Sequence, residues 1–187
     1  MKMKRLFLLA AIGITFSSCD AIKDLAAVDV DTNFNVDIPL ESNALSVSMK
    51  SVQLTDGSYI IDGRGEVDLE NNDDLKEYID GIRDMSTDNP LFEVSGVSGE
   101  NVLYDLKITA QIENSETEFT LLEPTTVDAS NLNGSVKYVN DLMTSWADEG
   151  WGNIVKFEVS GTSNFDLNTS PVKVKLKIPA TVRYTPL

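Results

Sequence analysis

From Val30 onward, apolar and polar side chains alternate one by one through several long runs, and a period of two dictates strands with one buried face. In the first run Val30, Thr32, Phe34, Val36 and Ile38 fall on one side, with Asp29, Asp31, Asn33, Asn35 and Asp37 on the other. Leu45, Val47 and Met49 open a second run. Tyr59, Ile61, Val67 and Leu69 mark a third, interrupted by Gly63 and Gly65, which predict a bulge or a close backbone approach. Val102, Tyr104, Leu106, Ile108, Ala110 and Ile112 form the next, and Val172, Val174, Leu176, Ile178, Ala180, Val182 and Tyr184 the longest. This patterning predicts a mainly β chain, an antiparallel β-sandwich built as a single domain over residues 29–187.

Two segments change period. Leu75, Tyr78, Ile79, Ile82 and Met85 recur at helical spacing behind Asn72 and Asp73, which are N-cap residue types. Val136, Val139, Met143 and Trp146 do the same after Asn133-Gly134-Ser135. Pro90 and the pair Gly150 and Gly152 lie past the two ends, where helix breakers belong. Two short helices at connections between strands are therefore expected.

The helices align with a local repeat. Phe92-Glu93-Val94-Ser95-Gly96-Val97-Ser98 returns as Phe157-Glu158-Val159-Ser160-Gly161-Thr162-Ser163. With the helix before each copy, this predicts an internal duplication over about 58–112 and 117–184. The outward residues of the first strand are acidic at Asp29, Asp31 and Asp37, and those of the last are basic at Lys173, Lys175, Lys177 and Arg183. Opposite charges on adjacent strands contribute a few tenths of a kcal/mol per pair, which predicts that the two strands are neighbours. The alternative is a lysine-guarded free edge.

Composition narrows the chemistry. The chain of 187 residues carries a net charge of −15 and has no histidine. Without imidazole there is no Ser-His or Cys-His nucleophile, and the commonest metal ligand is missing. The acidic balance repels phosphate backbones, so nucleic acid is not expected as a partner. Asp29-x-Asp31-x-Asn33 lies on a strand, where carboxylates project in a row. Asp68 to Asp74 precedes a helix, where acids complement the dipole. Neither predicts a metal site, and no cofactor motif or catalytic constellation is present.

The start of the chain supplies an address. Met1-Lys2-Met3-Lys4-Arg5 is basic, Leu6 to Phe16 is uncharged and mostly apolar, and Ser17-Ser18 leads into Cys19, the only cysteine. A basic start, an apolar run and small residues at a cut site form a secretory signal, predicted over residues 1–18. The run is too short to span the roughly 30 Å of a bilayer core. Its end resembles the lipobox of bacterial lipoproteins, with Phe16 where that motif prefers Leu. The resemblance implies that Cys19 is acylated and that residues 19–28 form a tether. Loss of Lys2, Lys4 and Arg5 with the signal takes the net charge from −15 to −18. A signal ending Ser-Ser-Cys-Asp, followed by a β-rich body interrupted by Asn71-Asn72-Asp73-Asp74-Leu75-Lys76-Glu77-Tyr78-Ile79-Asp80-Gly81-Ile82, resembles small envelope lipoproteins of Bacteroidota. That resemblance implies lipid anchoring at the outer membrane, on its periplasmic face or at the cell surface.

The expected function is a non-enzymatic binding or assembly module for another envelope protein. A second reading is glycan capture, with Trp151, Trp146 and Tyr138 as stacking residues. Trp151 is flanked by glycines that would leave its ring accessible, whereas Trp146 also continues the apolar stripe of its helix. A third, an enzyme using Asp68, Asp73 or Glu149, has the least support. Because Cys19 is the only thiol, the anchoring expectation is open to direct chemistry. Mass spectrometry of the N-terminal peptide from membranes should find a chain beginning at Cys19 and carrying acyl mass, and Cys19→Ala should leave the membrane fraction. An unmodified Cys19 thiol in a membrane-bound chain contradicts it.

Overall fold

The computed structural model describes residues 27–42, 58–128 and 131–185. The signal, Cys19 and the strand expected at Leu45–Met49 lie outside them. The elements in chain order begin with strands β1 (Val28–Ser42), β2 (Tyr59–Val67), β3 (Ile82–Ser86), β4 (Leu91–Ser95), β5 (Leu103–Ile112) and β6 (Glu118–Val127). The short β7 (Asn131–Asn133), helix α1 (Val136–Glu149), β8 (Val155–Ser163) and β9 (Val172–Tyr184) complete them. All strand pairings are antiparallel, in the order β6-β5-β8-β2-β1-β9-β4-β7, with β3 also paired to β9.

The strands make one connected sheet, curled into a half-barrel around a single helix, where the sequence predicts a sandwich with two helices. The curl has a local cause. Among the described residues β1 and β2 pair at Glu41↔Asp62 and Ser42↔Ile61 alone. Beyond that corner β2 crosses close over the buried side chains of β1. A Cβ added to Gly63 would stand 2.7 Å from both Leu40 Cδ2 and the Pro39 carbonyl oxygen, and one on Gly65 would stand 2.7 Å from Val36 Cγ1. The two glycines provide the close approach expected of them, and the corner turns the sheet back on itself.

β1 and β9 form the axis of the sheet. They pair without a break from Val28↔Tyr184 to Leu40↔Val172. Inward Phe34, Val36, Ile38 and Leu40 meet inward Val172, Val174, Leu176 and Ile178, all at most 5% exposed. Outward, Asp29 stands opposite Arg183 and Asp37 opposite Lys175. Lys173 Nζ reaches Asp37 at 3.5 Å, and the Thr181 hydroxyl donates to Asp31 at 3.0 Å. The predicted adjacency of first and last strands holds. β9 is also flanked by β4 and β3, so its lysines do not guard a free edge. Pro179, which has no N–H to donate, sits between Lys177 and Thr181, where that flank of β9 has no partner.

Helix α1 fills the hollow of the curl. The Ser135 hydroxyl accepts from Tyr138 N at 3.3 Å as its N-cap, and Gly150, at φ +104°, ends it by donating its N–H to Trp146 O at 2.9 Å. Val139, Leu142, Met143 and Trp146 are buried, each contributing roughly 1.5–3 kcal/mol. The Asn140 amide accepts from Thr87 N at 2.8 Å and donates to Thr87 O at 3.0 Å. One side chain thus satisfies both backbone groups where β3 gives way to β4. β7 follows β6 in the chain but stands at the other end of the strand order. Between β7 and α1, Gly134 N donates to Pro90 O and Ser135 N to Leu121 O.

The first expected helix is not formed. Residues 69–81 are a succession of turns ending in the 3-10 turn Ile79–Gly81. Asn72 does cap, its side-chain oxygen accepting from Asp74 N and Leu75 N. The spacing of Ile82 and Met85 comes instead from a β-bulge. The register shifts between Ile82 and Asp84, and the extra residue puts positions three apart on one face. The predicted duplication loses its first helix with this correction. Both Phe-Glu-Val segments are strands, and each pairs with the strand that follows the other copy, β4 with β9 and β8 with β5.

Gly63→Ala is expected to destabilise the fold by about 1–3 kcal/mol, because its methyl group meets a backbone oxygen that cannot move aside. Gly152→Ala, whose Cβ would meet only the end of the Glu70 side chain at 3.4 Å, is expected to stay within about 0.5 kcal/mol. Urea unfolding of both variants measures the contrast.

Candidate interaction surface

The outer face of β2, β8, β5 and β6 holds an open trough. Strand register sets its layout. Ile60, Thr162 and Tyr104 form one row across β2, β8 and β5, and Asp62, Ser160 and Lys107 the next. Arg64, Glu158 and Thr109 follow, and then Glu66, Lys156 and Gln111. Thr109 and Gln111 continue to Thr120 and Glu118 on β6. Short side chains lie between long ones, leaving an open trough of about 430 Å³ with Gly65 and Thr109 in its lining.

Charges of both signs line this trough, and Arg64, Glu158, Lys156 and Glu118 each pair with a neighbour in the lining or just beside it. Arg64 meets Glu158 at 3.4 Å, Lys156 meets Glu113 at 3.0 Å and Lys107 meets Glu118 at 3.3 Å. Exposed pairs of this kind are worth about 0.2–1 kcal/mol, so a partner's charges can replace either member at small cost. Ile60 and Tyr104, 40% and 38% exposed, stand in one row at the end of this face. An exposed tyrosine beside exchangeable charges is a protein-contact chemistry.

Tyr104 faces outward because of a bulge that its sequence pattern hides. Strict alternation assigns it to the core with Leu106 and Ile108. Asp105 instead adopts φ +52°, the register shifts between Leu103 and Leu106, and Leu103 becomes the buried residue. Gly161 makes room on β8, since a Cβ there would lie 2.9 Å from Tyr104 O. The available signal was Leu103 itself, an apolar residue out of phase with its run.

The expected aromatic site is not assembled as a platform. Trp151 is only 8% exposed, and its indole N–H donates to Ile82 O at 3.2 Å. Trp146 is 4% exposed and donates to Asn153 O at 2.8 Å. The two rings tilt together at 5.6 Å, with Phe34 at 6.5 Å from Trp146. The glycine-flanked turn folds Trp151 under the sheet, where burying an indole outweighs leaving it in water, so neither ring presents a face for a sugar. Tyr138 is exposed on α1, with the Lys137 ammonium 5.3 Å from its ring centre.

The acidic candidates serve local structure. Asp68 accepts from Glu70 N at 2.8 Å within its turn. Asp73 pairs with Lys76 at 2.7 Å, and hydrogen bonding to that ammonium holds its carboxyl below the ordinary range. Glu149 ends α1. Asp29, Asp31 and Asn33 lie in a row along β1, opposite Arg183, Thr181 and Pro179. Among the described residues no helix is long and apolar enough to cross a membrane.

No protein-family model and no curated protein matches the chain. Among solved structures, a chain of desmodium yellow mottle tymovirus is similar over 86% of this chain and 90% of that chain, at 12% identity and a TM-score of 0.40. A likeness that distant carries no argument.

If the outer face is a contact surface and not a structural one, its residues should matter little to stability. Tyr104→Ala is expected to cost about 1 kcal/mol or less and Arg64→Ala about 0.5 or less. Leu106→Ala, one position past the bulge and fully buried, should cost about 2–5 kcal/mol. Chemical denaturation of the three variants checks that order.

Proposed function

We propose that this chain is a lipid-anchored protein of the outer membrane whose β body binds or assembles with another envelope protein, without catalysing a reaction. The observation that carries the binding role is the outer face of β2, β8, β5 and β6, where exposed Ile60 and Tyr104 lie in one row on the face that holds a trough of exchangeable ion pairs. The anchoring role rests on the signal-like residues 1–18 and on Cys19. Two or three acyl chains, at about 0.8 kcal/mol per buried methylene, suffice to hold a protein on a membrane. Residues 19–28, extended, reach roughly 30 Å, which leaves the body free to meet a neighbour in the same membrane.

A photo-crosslinking residue placed at Tyr104 in intact envelopes tests the binding role, with the same residue at Asn35, on the outer face of β1, as control. One envelope protein captured at Tyr104, absent at Asn35 and lost when Arg64→Glu is added, is the expected result. Equal capture at both positions, or none at Tyr104, contradicts it.

A further inference from the structure

The two ends of the β1–β9 pair differ in chemistry. At one end the Ser42 hydroxyl donates to Asp166 at 3.1 Å, and Asn168 donates its backbone N–H to the same carboxylate at 2.9 Å and its side chain to Ser42 Oγ at 2.8 Å. These bonds, the Asn168 backbone N–H foremost, hold the Asp166 carboxyl below its ordinary range. Among the described residues that end is polar and joined by hydrogen bonds.

The other end is aromatic. Tyr184 is paired by Val28 on one flank and by Ile82 on the other. The turn before β3 folds over them, with Thr185 N donating to Gly81 O at 2.9 Å. Gly81 is required there, since any Cβ would collide with the Tyr184 ring. Tyr78 stands edge-on to Tyr184, ring centres 5.0 Å apart at 68°. Val28 is 52% exposed and Tyr78 40%. Neither phenol hydroxyl has a hydrogen-bond partner among the described residues. Two apolar rings with unpartnered polar tips are the side-chain type that membrane–water interfaces select.

The chain outside the described body enters at this same end. Cys19 precedes Val28 by nine residues, a span of at most about 30 Å. We propose that the end formed by Val28, Tyr78 and Tyr184 rests on the headgroup layer of a zwitterionic lipid surface, so that the body stands end-on to the membrane with its tether drawn in. The proposal rests on Cys19 being the anchor. The lipid is zwitterionic because a chain at −18 is repelled by an anionic one. Next to these residues in the chain or in strand register the charges are mixed, Lys76, Arg83 and Arg183 against Asp29, Asp73, Glu77, Asp80 and Asp84, which suits a surface that carries both phosphate and ammonium groups. End-on contact also leaves the outer face of β2, β8, β5 and β6 turned sideways, toward neighbours.

Among the described residues every strand pairing lies within residues 28–184, so a chain beginning at Cys19 keeps all of them. Its single thiol can be coupled to a maleimide lipid in phosphatidylcholine vesicles that contain doxyl-labelled lipid. An indole introduced by Tyr78→Trp should be quenched several-fold more than one introduced by Glu41→Trp at the polar end, after subtracting the signal of the unsubstituted chain. Val28→Trp serves as a second reporter of the aromatic end if Tyr78→Trp does not fold. Equal quenching at both ends, stronger quenching at Glu41→Trp, or none at either overturns the proposal. Chemical coupling holds the body at the membrane whether or not a cell acylates Cys19. Absence of acyl mass on the native chain therefore defeats the anchoring reading alone, and the quenching pattern decides the orientation.

Discussion

The continuous pairing of β1 with β9 is the constraint on which the rest of the molecule depends. It joins the first and last strands of the body in an unbroken ladder from Val28↔Tyr184 to Leu40↔Val172. Every other part of the sheet hangs from one side of it or the other: β2, β8, β5 and β6 turn away at the Gly63 corner, while β4, β7 and β3 extend from β9. Phe34, inward on β1, lies against Trp146, which in turn packs against Trp151. Burial of the inward side chains of the two strands, at roughly 1.5–3 kcal/mol each, dominates the few tenths contributed by each outward charge pair. The charges select the neighbour, and the apolar face supplies most of the stability. Closing a pair so far apart in sequence is entropically demanding and slow.

The same ladder explains what was legible before any coordinates. Where strands run without irregularity, period and charge together were sufficient. The buried faces of β1 and β9, their adjacency, the glycine approach at Gly63 and Gly65, and α1 all follow from residue types at known spacings. Two bulges defeat the same logic. At Arg83 and Asp84 an extra residue imitates helical spacing, and a chain of turns takes the place of a helix. At Asp105 the face of the strand reverses, so that Tyr104, patterned as core, becomes surface. A bulge is one residue of backbone geometry, and only its out-of-phase neighbour, such as Leu103, marks it in the sequence. Trp151 fails for another reason. Flanking glycines were taken to leave the ring accessible, yet their freedom is what lets the turn fold it inward onto Trp146 and Ile82.

Function sits on the features that the core does not require. The outward charges of the β2–β8–β5–β6 face contribute little to stability, yet their register places them in ordered rows around a trough. The aromatic end at Tyr78 and Tyr184 is built on a glycine, and its two phenol tips have no hydrogen-bond partner among the described residues. The first carries the proposed contact with a partner, and the second lies at the end of the body where Val28 begins β1.

The central claim, that the β1–β9 ladder is the member on which all else depends, is tested most directly by native-state hydrogen exchange. Amides of Phe34, Val36 and Ile38 and of Val174, Leu176 and Ile178 are expected to be the slowest in the chain and to exchange only through global unfolding, with β6 and β7 opening at lower free energy. If the β5–β6 hairpin retains protection after the β1 and β9 amides have exchanged, the ladder is not the foundation of the fold and the account fails.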